Sequence, residues 1–91
     1  IETFRSKALR RFFEYGDRRG LNADHCDKIA RILATLEAAS EIEAMNLPPF
    51  RLHPLLGDLK GYWAVTVRAN WRIIFRFEDG KAFDVDLVDY H

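Results

Sequence analysis

The hydrophobic pattern of this chain changes period part-way along its length, and that change limits the folds it can adopt. Before residue 40, apolar residues recur at spacings of three and four, which is typical of amphipathic helices. From residue 62 onward they alternate with polar residues, which is typical of strands with one buried face. Helices followed by a run of strands predict an α+β domain: an N-terminal helical pair packed on a twisted antiparallel sheet of three to four strands.

Local signals place the helices within the first half of the chain. The first helix is predicted to begin after the N-cap Ser6 and to end at Gly16, with an apolar stripe of Ala8, Leu9, Phe12 and Phe13. The second is predicted to begin at Asn22 or Asp24, with a buried face of Cys26, Ile29, Ala30, Ile32, Leu33 and Leu36. The capping-box sequence at residues 40–43 predicts a short third turn that must end at Pro48.

The connection between the last two strands decides which residues face each other. A two-residue turn at Asp79-Gly80 would pair Phe75 with Asp84 and mix core and polar residues on one face. A three-residue loop with Gly80 in the left-handed conformation pairs Phe75 with Phe83 and, further along, Ile73 with Val85. We therefore predict the three-residue loop.

Length and cysteine content limit the class of protein. The 91 residues are enough for a single domain, 1–91, with one small core. The only cysteine, Cys26, excludes an intramolecular disulfide and favours a reducing compartment. No apolar run approaches the roughly 20 residues that span a bilayer. The sequence thus predicts a cytoplasmic protein without a membrane segment.

Charge is balanced overall but unevenly distributed. The 14 basic and 14 acidic residues cancel, yet residues 51–76 hold five cations against one acid, and residues 77–91 hold five acids against one cation. Ten of the cations are arginines, whose planar fork suits bidentate phosphate contacts. Two interpretations are open: a phosphate-binding surface, or ion pairs between the two segments across the sheet.

The predicted register gathers polar residues on the sheet face away from the aromatic core. It puts Arg72 opposite Asp86 and Arg68 near Tyr90. Either Arg72 is a cross-strand partner of Asp86, or it belongs to a site on this open face. A structural role is favoured for the tryptophans Trp63 and Trp71, which fall on the alternating apolar face.

Acid–base residues lie close to that face. The last strand ends in Asp89, Tyr90 and His91, and His53 lies on a predicted edge strand or in the loop leaving it. Metal-free RNA cleavage needs a base for the ribose 2′-hydroxyl, an acid for the departing 5′-oxygen and cations for the phosphorane. Imidazoles suit both proton transfers because histidine titrates near neutral pH.

Several short motifs resemble those of one known family. They are Leu52-His53-Pro54-Leu55, Gly61-Tyr62-Trp63, Val67-Arg68-Ala69-Asn70-Trp71-Arg72-Ile73 and the terminal Asp89-Tyr90-His91. Together they resemble the HigB toxins of the RelE/ParE superfamily, and the likeness runs through nearly the whole chain. The resemblance implies a toxin that cleaves messenger RNA in the 30S A site of the ribosome. It also implies a helix-turn-helix antitoxin, HigA, through which DNA is contacted only indirectly.

The resemblance also assigns a site. It implies catalytic roles for His53, Arg72, Asp89, Tyr90 and His91, a phosphate contact for Arg68, and no metal or organic cofactor. The chain departs from the pattern at Leu56, because some members carry a basic residue just before the glycine that is Gly57 here. The missing cation should weaken phosphate binding or transition-state stabilisation unless Lys60 or Arg51 replaces it.

The sequence is also compatible with other functions. ParE-type relatives poison DNA gyrase as binding proteins, and fold alone does not separate them from nucleases. A chain that has lost its activity through changes such as Leu56 would act only as an antitoxin-binding module. Four arginines of the first helix and its loop either meet ribosomal RNA or form a solvated face: Arg10, Arg11, Arg18 and Arg19.

Overall fold

The computed structural model describes residues 1–90, and the elements follow the order that the hydrophobic pattern predicts. Two α-helices come first: α1 (Lys7–Tyr15) and α2 (Cys26–Ala38). Four strands follow: β1 (His53–Pro54), β2 (Tyr62–Arg68), β3 (Trp71–Glu78) and β4 (Lys81–Asp89). Short 3-10 helices occupy Ala23–His25, Ile42–Met45, Pro48–Phe50 and Gly57–Leu59.

The strands form one antiparallel sheet in the order β1-β2-β3-β4. One face of this sheet packs against the helices. The core between them is formed by residues of α1 and α2 together with alternating residues of the strands, among them Leu9, Ile29, Leu33, Val65, Ile73, Phe75 and Val85. The predicted α+β arrangement, a helical pair on a sheet of three to four strands, is confirmed. The opposite face, called the open face below, carries the partly exposed side chains of Tyr62, Thr66, Arg72 and Arg76.

Most of the predicted helix ends are confirmed. The Ser6 hydroxyl accepts a hydrogen bond from the Leu9 amide at 3.1 Å, and Gly16 ends α1 in the left-handed conformation at φ 71°. Asn22 caps the 3-10 turn that leads into α2. Two details are wrong: Ala30 is exposed, and the turn after Ser40 begins without a side-chain cap.

The turn between β3 and β4 differs from the prediction. Glu78 pairs directly with Lys81, so the loop has two residues, Asp79 and Gly80, both with positive φ (52° and 75°). This is the turn that matches the right-handed twist of a hairpin. The predicted three-residue loop is wrong, and so is the pairing of Phe75 with Phe83, because Phe83 faces Arg76.

A β-bulge explains how the two-residue turn keeps polar residues out of the core. Two β4 residues, Asp84 and Val85, lie opposite the single β3 residue Phe75. Asp84 adopts a left-handed conformation at φ 54°, which aspartate tolerates better than most residues. Its amide donates to the Thr3 hydroxyl at 2.8 Å, and its carboxylate accepts from Arg76. Val85 then points into the core.

The bulge also shifts every pair beyond it. Arg72 lies opposite Val88, and Ile73 lies opposite Leu87. Asp86 lies opposite Ile74, and its carboxylate accepts from the Leu87 amide. The predicted pairings of Ile73 with Val85 and of Arg72 with Asp86 are therefore wrong, because a sequence pattern of period two contains no sign of an extra residue in β4.

Within residues 1–90, no helix combines the length and apolar character that crossing a bilayer requires.

Candidate active site

Arg72 is the central cation of the open face. It lies on β3 opposite Thr66 of β2 and Val88 of β4, and it is half-buried. Its guanidinium donates to two backbone carbonyl oxygens, those of Ala69 at 2.5 Å and Trp71 at 3.3 Å. Within residues 1–90 no carboxylate forms an ion pair with it. Backbone carbonyls therefore position this guanidinium without neutralising its charge.

The turn between β2 and β3 creates this arrangement. Arg68 pairs with Trp71 across a two-residue turn of Ala69 and Asn70, and Ala69 has φ 50°. Left-handed backbone is uncommon for alanine and costs free energy, which the surrounding sheet must offset. The Ala69 carbonyl that results is the one that accepts from Arg72.

His53 is exposed and lies on the edge strand β1, which is one of its two predicted positions. Its Nδ1 lies 2.9 Å from the carbonyl oxygen of Arg51. Because a carbonyl only accepts, Nδ1 must carry the hydrogen of this bond. In the neutral ring Nε2 then holds the lone pair, which leaves that nitrogen able to take a proton from a substrate.

The sheet register sets the distance between His53 and Arg72. His53 faces Ala64, which faces Ile74, so these residues form one row across three strands. Arg72 lies two residues from Ile74 on β3. Strand spacings of about 4.8 Å and rises of about 3.4 Å per residue put the Cα atoms of His53 and Arg72 about 12 Å apart. At that separation, the two side chains can approach one phosphodiester from opposite sides.

The residues at the end of β4 divide between two rows. Tyr90 follows Val88 by two positions and so shares the face of Arg72; its amide donates to the Asn70 carbonyl at 2.8 Å, and its side chain is 40% exposed. Asp89 instead pairs with Trp71, which pairs with Arg68. A bulge before Arg68 produces this row. Arg68 and Asp89 therefore flank Trp71. The sequence places Arg68 near Tyr90, whereas in the sheet Arg68 shares its row with the preceding residue, Asp89.

Two further predicted residues lie at the β1 edge of the site. Arg51 lies two residues before His53, the first residue of β1; it is exposed and has φ 51°. Lys60 follows the 3-10 turn Gly57–Leu59 and is also exposed. Leu56, where some relatives have a cation, is 83% exposed in the same loop. The loop therefore presents one apolar and one basic side chain beside His53. His91 lies outside the described residues.

Arg76 shows how a different arginine of the same face is used. Its guanidinium donates to Asp84 at 2.9 Å and to Glu78 at 3.0 Å, and it lies 5.5 Å from the centre of the Phe83 ring. The hydrogen bond from Arg76 holds the pKa of Asp84 below its usual value, and the bond to Asp84 raises the pKa of Arg76. Within residues 1–90, Arg76 forms ion pairs with carboxylates, whereas Arg72 forms none.

Behind the site, the 3-10 turn that leads into α2 lies close to the residue at which β3 begins. The rings of His25 and Trp71 lie 6.1 Å apart, and His25 and Cys26 are both buried. As neighbours on a helical turn, these two side chains point in different directions, which suits packing in the core better than joint metal ligation. Within residues 1–90 there is no cluster of three or more His, Cys, Asp or Glu residues placed to hold a metal ion.

Comparison with known proteins places the chain in a family. A family profile described as RelE-like toxin of type II toxin-antitoxin system HigB matches residues 2–91. The chain belongs to this HigB-like toxin family. As a toxin of a type II system, a HigB-like protein is paired with an antitoxin.

Two curated relatives of this HigB-like chain share most of its length. It is 44% identical over 91 residues to the endoribonuclease HigB of Proteus vulgaris, covering 100% of this chain and 99% of that protein. It is 33% identical over 86 residues to toxin HigB-1 of Vibrio cholerae serotype O1, covering 92% of this chain and 90% of that protein. The sequence resemblance to HigB toxins is thereby confirmed.

A solved structure has the same fold. A crystal structure of a mutant of YafQ from E. coli superposes with a TM-score of 0.59 at 18% identity, covering 96% of this chain and 89% of YafQ. At this identity the likeness concerns the fold alone.

Proposed function

We propose that this HigB-like toxin is an endoribonuclease that cleaves messenger RNA in the A site of the ribosome. The relative that shares 44% of its residues over the full length is named an endoribonuclease. The observation that carries the proposal is on the open face: Arg72 has no acidic partner within residues 1–90, and His53 has its Nδ1 occupied and its Nε2 available. A positioned cation and a positioned base are what phosphodiester cleavage requires.

The reaction follows from the groups present. His53 takes the proton of the ribose 2′-hydroxyl through Nε2, and the 2′-oxygen attacks the adjacent phosphorus. The bond from phosphorus to the 5′-oxygen breaks, and an acid returns a proton to that oxygen. The products are a 2′,3′-cyclic phosphate and a 5′-hydroxyl. No redox step or added cofactor enters this balance, so the proposed reaction is metal-independent.

Arg72 stabilises the charge that develops on the phosphorane. Its two carbonyl contacts fix the guanidinium before substrate arrives, so little reorganisation accompanies the reaction. Arg68, Lys60 and Arg51 contact phosphates further along the strand. These three are exposed, and none forms an ion pair within residues 1–90.

The remaining residues complete the proposed site. His91 is the general acid, and Asp89, two positions earlier, orients it. Tyr90 stacks on a base or positions it, because its ring lies on the face of Arg72 and is accessible. The partners proposed with this activity are a HigA-type helix-turn-helix antitoxin, the ribosome and its mRNA, in the cytoplasm. DNA is contacted only through the antitoxin.

One experiment tests the activity against its rivals. Purified protein is added to a defined mRNA, alone and on programmed ribosomes, and the 3′ ends of the fragments are analysed. Cleavage within the A-site codon that leaves a cyclic phosphate, with intact RNA when ribosomes are omitted, is the expected result. Cleavage of free RNA would contradict ribosome dependence. Uncut mRNA, with inhibited gyrase or with antitoxin binding alone, would support the ParE-like or the inactive-module interpretation instead.

A further inference from the structure

A second group of cations extends from the candidate active site onto helix α2. Lys28 and Arg31 are one turn apart on α2, and Arg51 lies two residues before His53, the first residue of β1. The Lys28 ammonium donates to the Pro49 carbonyl at 2.8 Å, which ties the helix to the segment before Arg51. Arg31 and Arg51 are exposed, and Lys28 is half-buried. We call Lys28, Arg31 and Arg51 the α2 patch.

The charge of the α2 patch is not compensated. Among residues 1–90, none of its three members forms an ion pair, whereas the neighbouring acid Asp27 pairs with Arg18 at 3.8 Å. The pKa of Lys28 lies below its ordinary value, first because of burial and then because of the charges of Arg31 and Arg51. Arg31 and Arg51 are thus both close enough to repel Lys28, and a bound polyanion would relieve that repulsion.

The patch is continuous with the active site. The Arg51 carbonyl accepts the hydrogen bond that orients His53, so the backbone of one patch member is already part of the catalytic arrangement. An RNA strand whose scissile phosphate lies between His53 and Arg72 has to leave the site past one edge of the sheet. The β1 edge is the one next to Arg51 and α2.

We propose that Lys28, Arg31 and Arg51 bind the phosphodiester backbone of RNA where the strand leaves the cleavage site at the β1 edge. The proposal rests on the proposed endoribonuclease function and extends it to a helix that the sequence motifs leave out. Arginine and lysine side chains that bind backbone phosphates favour RNA of any sequence. Continuity with His53 favours the messenger strand over an acidic segment of a protein partner.

The test uses a double variant with a matched control. Lys28→Gln with Arg31→Gln removes two positive charges and keeps good helix formers at both positions. The control, Lys7→Gln with Lys81→Gln, makes the same change in net charge at exposed positions outside the patch. Both proteins and the parent are checked for equal thermal midpoints before binding is measured. A Lys28→Arg with Arg31→Lys variant keeps the charge.

Two binding measurements identify the source of the phosphates. One uses a short single-stranded RNA with 2′-O-methyl riboses, which cannot be cleaved, and the other uses vacant ribosomes. We expect the double variant to bind the oligonucleotide on the order of tenfold more weakly than the control, with a salt dependence reduced by about one in the log–log slope. The charge-keeping variant should bind as the parent does. A loss confined to vacant ribosomes would assign the patch to ribosomal RNA.

Other results overturn the proposal. If the double variant binds both RNA probes as tightly as the control, the patch does not contact RNA. If it loses only antitoxin binding, the patch belongs to a protein interface. The cleavage assay on the parent separates this failure from that of the proposed function. A parent that cuts nothing refutes the nuclease, whereas a parent that cuts while the double variant binds normally refutes the patch alone.

Discussion

Two ends of the open face carry the same residue type in opposite states. Arg72 and Arg76 are on the same strand and the same face, four residues apart. Near the β3–β4 turn, Arg76 is surrounded by Asp84, Glu78 and the Phe83 ring. Near the β2–β3 turn, Arg72 is held by two backbone carbonyls and no acid within residues 1–90. The charge of Arg76 is thus paired with carboxylates, whereas that of Arg72 is not paired within residues 1–90.

The contrast between Arg76 and Arg72 indicates which arginine to substitute to test stability and which to test cleavage. A carboxylate partner competes with phosphate for a guanidinium, whereas a carbonyl orients the group and leaves its net charge intact. Stability should depend more on the Arg76 end and cleavage on the Arg72 end. Substitutions at the two ends should therefore differ in their effects on cleavage and on thermal stability.

Arg72→Ala should lower cleavage on programmed ribosomes about 10³-fold, because it removes the fixed cation beside the phosphorane. The thermal midpoint should change little, since the guanidinium lies on the open face and contacts only a turn. Single-turnover cleavage rates and thermal unfolding of the same preparations measure both effects. Arg72→Lys should restore only part of the rate, because an ammonium cannot reproduce the planar fork. A folded Arg72→Ala protein that cleaves at the parent rate would remove Arg72 from the site.

His53→Gln should lower cleavage by about 10², at the lower end of the usual range for loss of a general base, because glutamine can still donate to the Arg51 carbonyl. The pH–rate profile provides the sharper readout. The profile of the variant should differ in shape from that of the parent, because the proposed base is absent. An unchanged profile in the variant would transfer the base role to Asp89 or His91.

Leu56→Lys should raise cleavage on the order of fivefold, because it adds a phosphate-binding cation in the loop that follows His53 and β1. The side chain is 83% exposed, so a lysine fits without repacking. Leu56→Gln is the matched control, since it removes the apolar side chain without adding charge. If Lys60 and Arg51 already supply every needed contact, the lysine variant will cleave no faster than the glutamine variant.

Arg76→Gln should leave cleavage within about twofold of the parent and lower the thermal midpoint by a few degrees. The effect is small because the Arg76 and Asp84 side chains are 34% and 33% exposed and solvent screens the pair. Asp84 has a lowered pKa in the folded protein, so the pair stabilises above the ordinary aspartate pKa, and this contribution is lost as pH falls through the folded value. Thermal unfolding at neutral and acidic pH should therefore show the two proteins converging in acid.

Local sequence signals predicted the helices and strands well. Features that depend on contacts between distant parts of the chain were predicted less well. Ser6 and Gly16 act within a few residues of themselves, so their capping roles can be predicted from residue type. The register of β4 depends on Asp84 adopting a left-handed conformation, supported by Thr3 from the other end of the chain. No pattern within β4 contains that contact.

In the candidate site, too, residue types could be predicted from the sequence, whereas their tertiary contacts could not. Motif resemblance identified His53 and Arg72, but the state of each depends on a backbone carbonyl contributed by tertiary structure. The capture of Arg72 by the Ala69 carbonyl requires a left-handed alanine, which residue preferences oppose. The α2 patch becomes visible only when helix and loop are brought together.

The bulged strand β4 has a further consequence for how the protein behaves at high concentration. An unpaired edge strand invites another chain to extend the sheet, which leads to aggregation. Here the first half of β4 is already covered: Val85 donates to the Thr3 carbonyl at 3.1 Å and accepts from Arg5 at 2.9 Å. Further along, the Asp86 carboxylate accepts from the Leu87 amide. An incoming strand would have to displace both sets of hydrogen bonds, so this edge resists intermolecular sheet extension even when no antitoxin is bound.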